Sequence, residues 1–316
     1  MRTMTARPNT VRSIQGFTLA EMLVATVVLI MIVLFVTRLV NHAAVIVGQA
    51  TKHMDTEANV RPFFDRFAVD IDQMVKRTDV SYFLKNATTS SDLNDRMAFF
   101  TSAPGYYDDN GGMGYNSRYS LVAYRVNADT SSASCNKVER MAKGLALNAA
   151  YTTPPPSTSS NNNVTPLLFL DSGFNTTIDK VWPAAVDPAA TTTDPYQKYE
   201  LIGPQVFRFE YYYLTSASPT LVAYPAGWTS ANTINIKDVA AIVVAVATID
   251  PQSRKLLSET NVGGIARALP KFTSGGPGAL LAQWQNVLNT DATINALPRP
   301  ALQGIRLYER YFYLNQ

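Results

Sequence analysis

From Phe17 to Thr37 the chain runs 21 residues with a single charge, Glu21. As a helix this stretch measures about 31 Å at 1.5 Å per residue. That is enough to cross a hydrocarbon core of about 30 Å. The 16 residues before it hold Arg2, Arg7 and Arg12 and no acid. Under the positive-inside rule those arginines keep the N-terminus in the cytoplasm and send the remainder across. Arg38 follows the apolar run directly and can snorkel to the far interface.

An ordinary secretory signal is cut after its apolar run, at a small-residue site. Here no tidy site of that kind follows. Instead Gly16 precedes the run, and Phe17-Thr18-Leu19-Ala20-Glu21 opens it. This order of a short basic leader, Gly, Phe, Thr-Leu, one residue, Glu and an apolar helix resembles the type IV prepilin motif. The resemblance implies cleavage after Gly16 by a prepilin peptidase and N-methylation of Phe17. The alternative is an uncleaved single-pass anchor.

Glu21 is the anomaly within the apolar run, because a carboxylate there is costly and is a functional candidate by default. After cleavage it would be the fifth residue from a new α-amine on Phe17. In pilin-like families the equivalent glutamate pairs with the N-terminal amine of a neighbouring subunit, so the resemblance gives Glu21 an assembly role that sets axial register. A paired charge in low dielectric is tolerated and an unpaired one is not. The blander reading places Glu21 in the headgroup zone. Some minor pilins at a filament tip lack this glutamate, which disfavours the extreme tip position here.

Charge and chemistry narrow the classes further. The net charge is +3, but without the leader arginines 24 basic residues face 24 acidic ones. The mature body therefore has no global bias toward nucleic acid, and no nucleic-acid partner is expected. One cysteine, Cys135, allows no internal disulfide and no cysteine-based metal site, and is expected as a small buried hydrophobe. His42 and His53 lie too far apart on the N-terminal helix to share a ligand, and neither has a cysteine nearby. No nucleophile elbow or phosphate loop occurs; Ser274-Gly-Gly-Pro-Gly278 lacks the Lys-Ser/Thr of a phosphate loop and reads as a loop. Asp108-Asp-Asn-Gly-Gly112 does not match an EF-hand and reads as a tight turn. No catalytic residue, metal or cofactor is assigned, and no enzymatic activity is expected.

The helical pattern continues past the apolar run. From Asn41 to Arg77, Phe63, Phe67, Ile71, Met74 and Val75 fall on one face and Asp65, Arg66, Asp72, Gln73 and Lys76 on the other. Pro62 should kink or restart this helix. Strands are predicted at Met97–Ser102, Ser120–Val126, Lys137–Met141, Gln205–Leu214 and Val239–Ile249, the last as a buried central strand. Alternation across the fourth should leave part of Tyr211-Tyr212-Tyr213 exposed, and sheet packing competes there with a subunit interface. Tyr151–Pro166 and Ala184–Pro195 are biased in composition and read as surface loops. Ala279–Thr290 reads as a helix, and Ile305–Leu314 as a packed C-terminal segment, helix or strand.

Four segments carry a second resemblance: Phe64-Asp-Arg-Phe-Ala-Val-Asp-Ile-Asp72, Leu121-Val-Ala-Tyr-Arg-Val126, Val138-Glu-Arg-Met141 and Phe207-Arg-Phe-Glu-Tyr-Tyr212. In this order they resemble the J-type minor pseudopilin of type II secretion. Val138-Glu-Arg-Met-Ala-Lys-Gly-Leu145, Gln205-Val-Phe-Arg-Phe-Glu-Tyr-Tyr-Tyr213 and Tyr308-Glu-Arg-Tyr-Phe-Tyr313 are similar to the protein C family of the Verru_Chthon cassette. The expected fold is α+β and pilin-like: a long N-terminal helix packed on an antiparallel β-sheet body with loop insertions. The expected organisation is a leader at 1–16, a transmembrane helix at 17–40, its amphipathic continuation at 41–77 and an extracytoplasmic β-rich body at 78–316. The implied function is a minor pilin or pseudopilin of a type IV pilus-like or type II secretion-like assembly. Its partners would be other pilin-like subunits, the prepilin peptidase and the bacterial inner membrane, with the body in the periplasm. A surface-displayed binding or adhesion module on the same anchor is the alternative, and a membrane-anchored enzyme is the least supported class.

Overall fold

One helix, α1 (Leu19–Asp72), dominates the N-terminal part of the protein. The structure is a computed structural model that describes residues 18–76, 83–84, 94–108, 114–144, 199–216, 220–223 and 238–314. The chain divides into two units, Met1–His53 and Met54–Gln316. In the first, α1 is apolar from Leu19 to Gly48, with a mean hydropathy of 2.8 and none of that surface buried. This is compatible with a single-pass membrane anchor.

In the second unit the remainder of α1 is amphipathic. Val60, Phe63, Phe64, Phe67 and Ile71 are buried, while Arg61, Asp65, Arg66 and Asp72 are exposed. The expected restart at Pro62 does not occur, since α1 runs through it. Pro62 removes the hydrogen bond to the Ala58 carbonyl, but both residues lie on the exposed face, where water can take the donor's place. The helix also ends before the expected Arg77. Beyond Asp72 the backbone turns onto a sheet: Met74 bridges Thr101, Val75 N–H donates to Phe100 O at 2.9 Å, and Ser102 N–H donates to Gln73 O at 2.9 Å.

Among the described residues the β structure comprises two five-stranded antiparallel sheets and a two-stranded hairpin. The first comprises β1 (Phe83–Leu84), β2 (Met97–Thr101), β5 (Ser120–Val126), β6 (Val138–Gly144) and β7 (Glu200–Gly203), in that spatial order. A separate hairpin pairs β3 (Gly105–Asp108) with β4 (Gly114–Ser117), flanking the expected turn, whose residues 109–112 lie outside the described residues. The second sheet holds β8 (Val206–Thr215), β9 (Leu221–Val222), β10 (Val239–Ile249), β11 (Ser274–Gly275) and β12 (Ile305–Tyr313), ordered β11-β9-β8-β10-β12.

Strand β10 has the boundaries and the central position that its composition predicts. Ile242, Val244 and Val246 face the core shared with α1 and the first sheet. Val243, Ala245, Ala247 and Ile249 face a second core under short helices. Those helices are α2 (Pro251–Arg254), α3 (Glu259–Ala268), α4 (Ala279–Thr290), α5 (Ala292–Asn295) and α6 (Arg299–Leu302). Asp250, Ser258 and Asp291 cap three of them with side-chain oxygens. Cys135 is buried as expected.

This second layer corrects the expectation for Tyr211, Tyr212 and Tyr213, none of which is exposed. Tyr211 and Tyr213 point into the first core, and Tyr212 points into the second, stacked on Phe272 at 4.0 Å between centroids. Alternation leaves one set wet only when one face of the sheet is solvated, and here both are covered. A bulge lets Phe207 join Arg208 on the helical side, because Ala247 pairs with Arg208 and Thr248 with Val206.

The first core is aromatic. Phe67 lies against Tyr124 at 4.9 Å, Phe312 at 4.8 Å and Phe209 at 6.4 Å, so one helix residue touches both sheets. Asp70 is buried in the same wall. Its carboxylate accepts two bonds from Arg140 on β6, Nε at 2.6 Å and Nη2 at 2.9 Å, and a short one from the Tyr124 hydroxyl on β5. Burial opposes the Arg140 charge, but the bonds and charge of Asp70 prevail and raise its pKa. A second ion pair, Arg208–Glu210 at 3.2 Å, lies beneath the helical layer, where Glu210 also accepts the Phe272 N–H at 3.2 Å. Burial lowers the Arg208 pKa against the pull of Glu210 and Asp95.

Removing one partner of a buried ion pair strands the other charge and costs about 3–5 kcal/mol. Asp70→Asn is therefore expected to lose stability on that scale in urea denaturation of the full chain in detergent. Adding Arg140→Met should recover much of the loss, whereas additive losses would show that the two side chains are not coupled. Alkaline pH supplies a second test. Burial first, with Asp70 second, raises the Tyr124 pKa, and burial with Glu309 raises those of Tyr212 and Tyr311, the latter to about 12. The folded state thus holds phenolic protons more tightly than the unfolded one. Stability is complete below the unfolded value of about 10 and falls as pH rises past it. Phenolate absorbance is expected to lag behind that of the denatured chain and to rise with unfolding; coincident titrations would refute this.

Candidate processing and assembly site

The start of α1 is built from its own side chains. A helix leaves its first backbone N–H groups without internal partners. Thr18 stands immediately before the helix and Glu21 three residues on, the Ser/Thr-x-x-Glu spacing of a capping box. Thr18 Oγ1 accepts the Glu21 N–H at 3.3 Å. In return Glu21 Oε2 accepts the Thr18 N–H at 2.9 Å and its hydroxyl at 3.0 Å. The helix dipole favours a carboxylate at this end.

Glu21 therefore has a local structural role that the sequence reading did not assign, although the Thr-x-x-Glu signal was present. It also lies on an open apolar face with Ala20, Val24, Ala25, Val28, Leu29 and Ile32. Among these residues it is the only ionisable one. The expected processing residues, Gly16 and Phe17, lie outside the described residues. So do the compositionally biased segments at 151–166 and 184–195.

The apolar part of α1 extends past Arg38 to Gly48, a stretch of 30 residues. Arg38 and His42 fall within it and are exposed. Among the described residues, no group of three or more His, Cys, Asp or Glu side chains gathers to hold a metal. The structure also brings together segments that the sequence left apart. Asp70, Tyr124 and Arg140 come from three of the four segments that carry the pseudopilin resemblance. The fourth supplies Phe209, whose ring meets Phe63 at 6.1 Å and Phe67 at 6.4 Å.

No protein-family model matches the chain, and no curated protein matches it.

If Thr18 and Glu21 cap the helix reciprocally, removing each side chain should loosen the amide that it accepts. Thr18→Val is expected to speed hydrogen exchange at Glu21 N–H severalfold, consistent with about 1 kcal/mol for a lost cap. Glu21→Ala should affect Thr18 N–H instead. Unchanged exchange in both variants, measured in detergent, would show that the box does not hold this helix end.

Proposed function

We propose that the protein is a prepilin: a membrane-anchored subunit cut after Gly16, N-methylated on Phe17 and assembled into a pilus-like or type II secretion-like filament as a minor pilin or pseudopilin. The observation that carries this reading is the start of the helix. An apolar helix opens two residues after Phe17, and a carboxylate stands at its third position. A secretory signal would place its cut beyond the apolar run; here Gly16-Phe17 lies on the near side. The combination of a long N-terminal helix with antiparallel sheets supports the same reading.

On this reading the leader stays in the cytoplasm, α1 anchors the subunit in the inner membrane and the β-rich body lies in the periplasm. Glu21 pairs with the α-amine of a neighbouring subunit. The protein works by assembling and catalyses nothing. The resemblance to J-type pseudopilins and to the Verru_Chthon protein C family points to a minor subunit.

Intact-mass and N-terminal peptide mass spectrometry of protein from its native membrane fraction tests the processing step. The expected chain begins at N-methyl-Phe17. A chain that still begins at Met1 with the peptidase present would leave a plain single-pass anchored protein. Glu21→Ala is expected to abolish co-assembly with pilin-like subunits, read by cross-linking in the membrane, while the body keeps its near-ultraviolet circular dichroism. Normal cross-linking in that variant would remove Glu21 from assembly.

A further inference from the structure

The outer strand of the second sheet, β12, is long and has no strand on its outer side among the described residues. Soluble proteins blunt sheet edges with short strands, proline, lysine or bulges. The other outer strands of the two sheets, β1, β7 and β11, have two, four and two residues. β12 has nine and contains no proline or lysine. It keeps an unbroken register with β10 from Ile305 to Tyr313.

Its backbone direction follows from one bond. Leu314 N–H donates to Ala240 O at 2.8 Å. In an antiparallel ladder, alternate residues bond the partner strand. The even-numbered residues of β12 therefore face β10, and the N–H and C=O groups of Leu307, Glu309, Tyr311 and Tyr313 point outward. No strand pairs with that side among the described residues.

The side chains bordering this edge differ by face. Arg306, Tyr308 and Arg310 lie on the α1 side, the two arginines about 13–14 Å apart at the rise of a strand. Arg306 is half-buried, with its guanidinium donating to the Gln303 and Ile305 carbonyls at 2.9 and 2.8 Å, so a partner carboxylate would add to those bonds, and Arg310 has 47% of its side chain exposed. Arg310 lies over Phe312 at 5.5 Å and reaches Asp65 at 3.5 Å, an exposed pair that a better carboxylate can displace. On the opposite side, Tyr311 and Tyr313 stack at 6.4 Å, and Tyr313 is 66% exposed. Glu309 is engaged internally, accepting from the Tyr212 hydroxyl at 2.7 Å and from Gly278 N–H at 3.2 Å.

We propose that β12 is a docking edge for an extended segment of another protein, added antiparallel as a sixth strand. Two acidic side chains of that segment, four residues apart, would face Arg306 and Arg310, and apolar side chains would cover Tyr311 and Tyr313. Main-chain bonds supply affinity in this mode, and alternate side chains supply selectivity. A second copy of β12 fits poorly. Antiparallel pairing through the outward groups matches odd positions with odd and even with even, so Glu309 never stands opposite Arg306 or Arg310. Registers centred on Arg306, Tyr308, Glu309 or Arg310 oppose like charges, which is destabilising, and those centred on Leu307 or Tyr311 bring no opposite charges together. This surface belongs to the body and does not depend on how the N-terminus is processed.

The test uses the full chain in detergent micelles and a labelled, acetylated probe of sequence Val-Thr-Val-Glu-Thr-Tyr-Val-Glu-Thr, which sets its glutamates opposite Arg310 and Arg306 and its first and third valines opposite Tyr313 and Tyr311. A matched probe carries lysine at both glutamate positions. Fluorescence anisotropy is expected to show the acidic probe binding roughly tenfold tighter than the lysine probe. Hydrogen exchange should slow at the amides of Leu307, Glu309, Tyr311 and Tyr313. The Arg306→Glu, Arg310→Glu double variant should reverse the preference. Tyr311→Pro should abolish binding of either probe, since it deletes an outward N–H and spares the ladder to β10. No binding of the acidic probe, equal binding of both probes, or protection confined to residues outside β12 would each overturn the proposal. The charge reversal keeps the test decisive if the proline variant fails to fold.

Discussion

The bidentate contact between Asp70 and Arg140 governs how α1 meets the body. The aromatic side chains around it supply most of the burial, but apolar contact is non-directional. A helix resting on phenyl rings alone could slide or rotate by a fraction of a turn at little cost. Asp70 removes that freedom. Its two oxygens are matched to the planar guanidinium of Arg140 on β6, and the Tyr124 hydroxyl on β5 closes the third side. The carboxylate is wholly buried, so a shifted helix would leave both it and Arg140 without partners. The rest of the wall then falls into place: Phe63 and Phe67 reach Phe209, and Phe64 reaches Phe312.

The same logic recurs one layer out. The second sheet is buried on both faces, so polar side chains on β8 must find partners inside, and Arg208 does so only through Nη2, its Nε and Nη1 having no hydrogen-bond partner. Glu210 takes Arg208 on one side and the backbone of Phe272 on the other. Asp95, just before β2, accepts Tyr211 N–H at 3.2 Å and meets Lys271 at 3.3 Å. These contacts tie the entry to the first sheet to a strand of the second. The loop between β5 and β6 is held in turn: Arg254 donates to Cys135 O at 3.0 Å and to Glu259 Oε2 at 2.8 Å, and Asn136 donates to Glu259 O at 2.9 Å. Charge and backbone bonds therefore set register where apolar packing only supplies cohesion.

The sequence disclosed what depends on local pattern. Ser120–Val126, Val239–Ile249 and Ala279–Thr290 stand at their expected boundaries because composition and periodicity alone define them. The errors arose where a distant partner decides. Pro62 reads as a kink or a restart, and the restart fails because the freed carbonyl lies on the exposed face and needs no protein donor. Tyr211–Tyr213 read as partly exposed until α3 and α4 cover the second face. Asp70 sits one residue from the buried Ile71, and nothing in its own neighbourhood announces Arg140, 70 positions away. Ile305–Leu314 reads equally as helix or strand, because its strand form depends on the ladder with β10. Glu21 was singled out for its charge, yet its bond to Thr18 is a short-range signal that three-residue spacing discloses.

That bond bears on how a charged residue can stand at the head of an apolar helix. A carboxylate in low dielectric needs partners before it needs a function. Glu21 obtains them from Thr18 without any second chain. On the prepilin reading, Glu21 of a lone subunit already has hydrogen-bond partners, and pairing with a neighbouring amine exchanges one set of bonds for another. The exchange is cheaper than desolvating a bare charge, because the cap supplies only neutral donors and the amine a full positive charge. On that reading the same residue stabilises the solitary helix and still favours its assembled state.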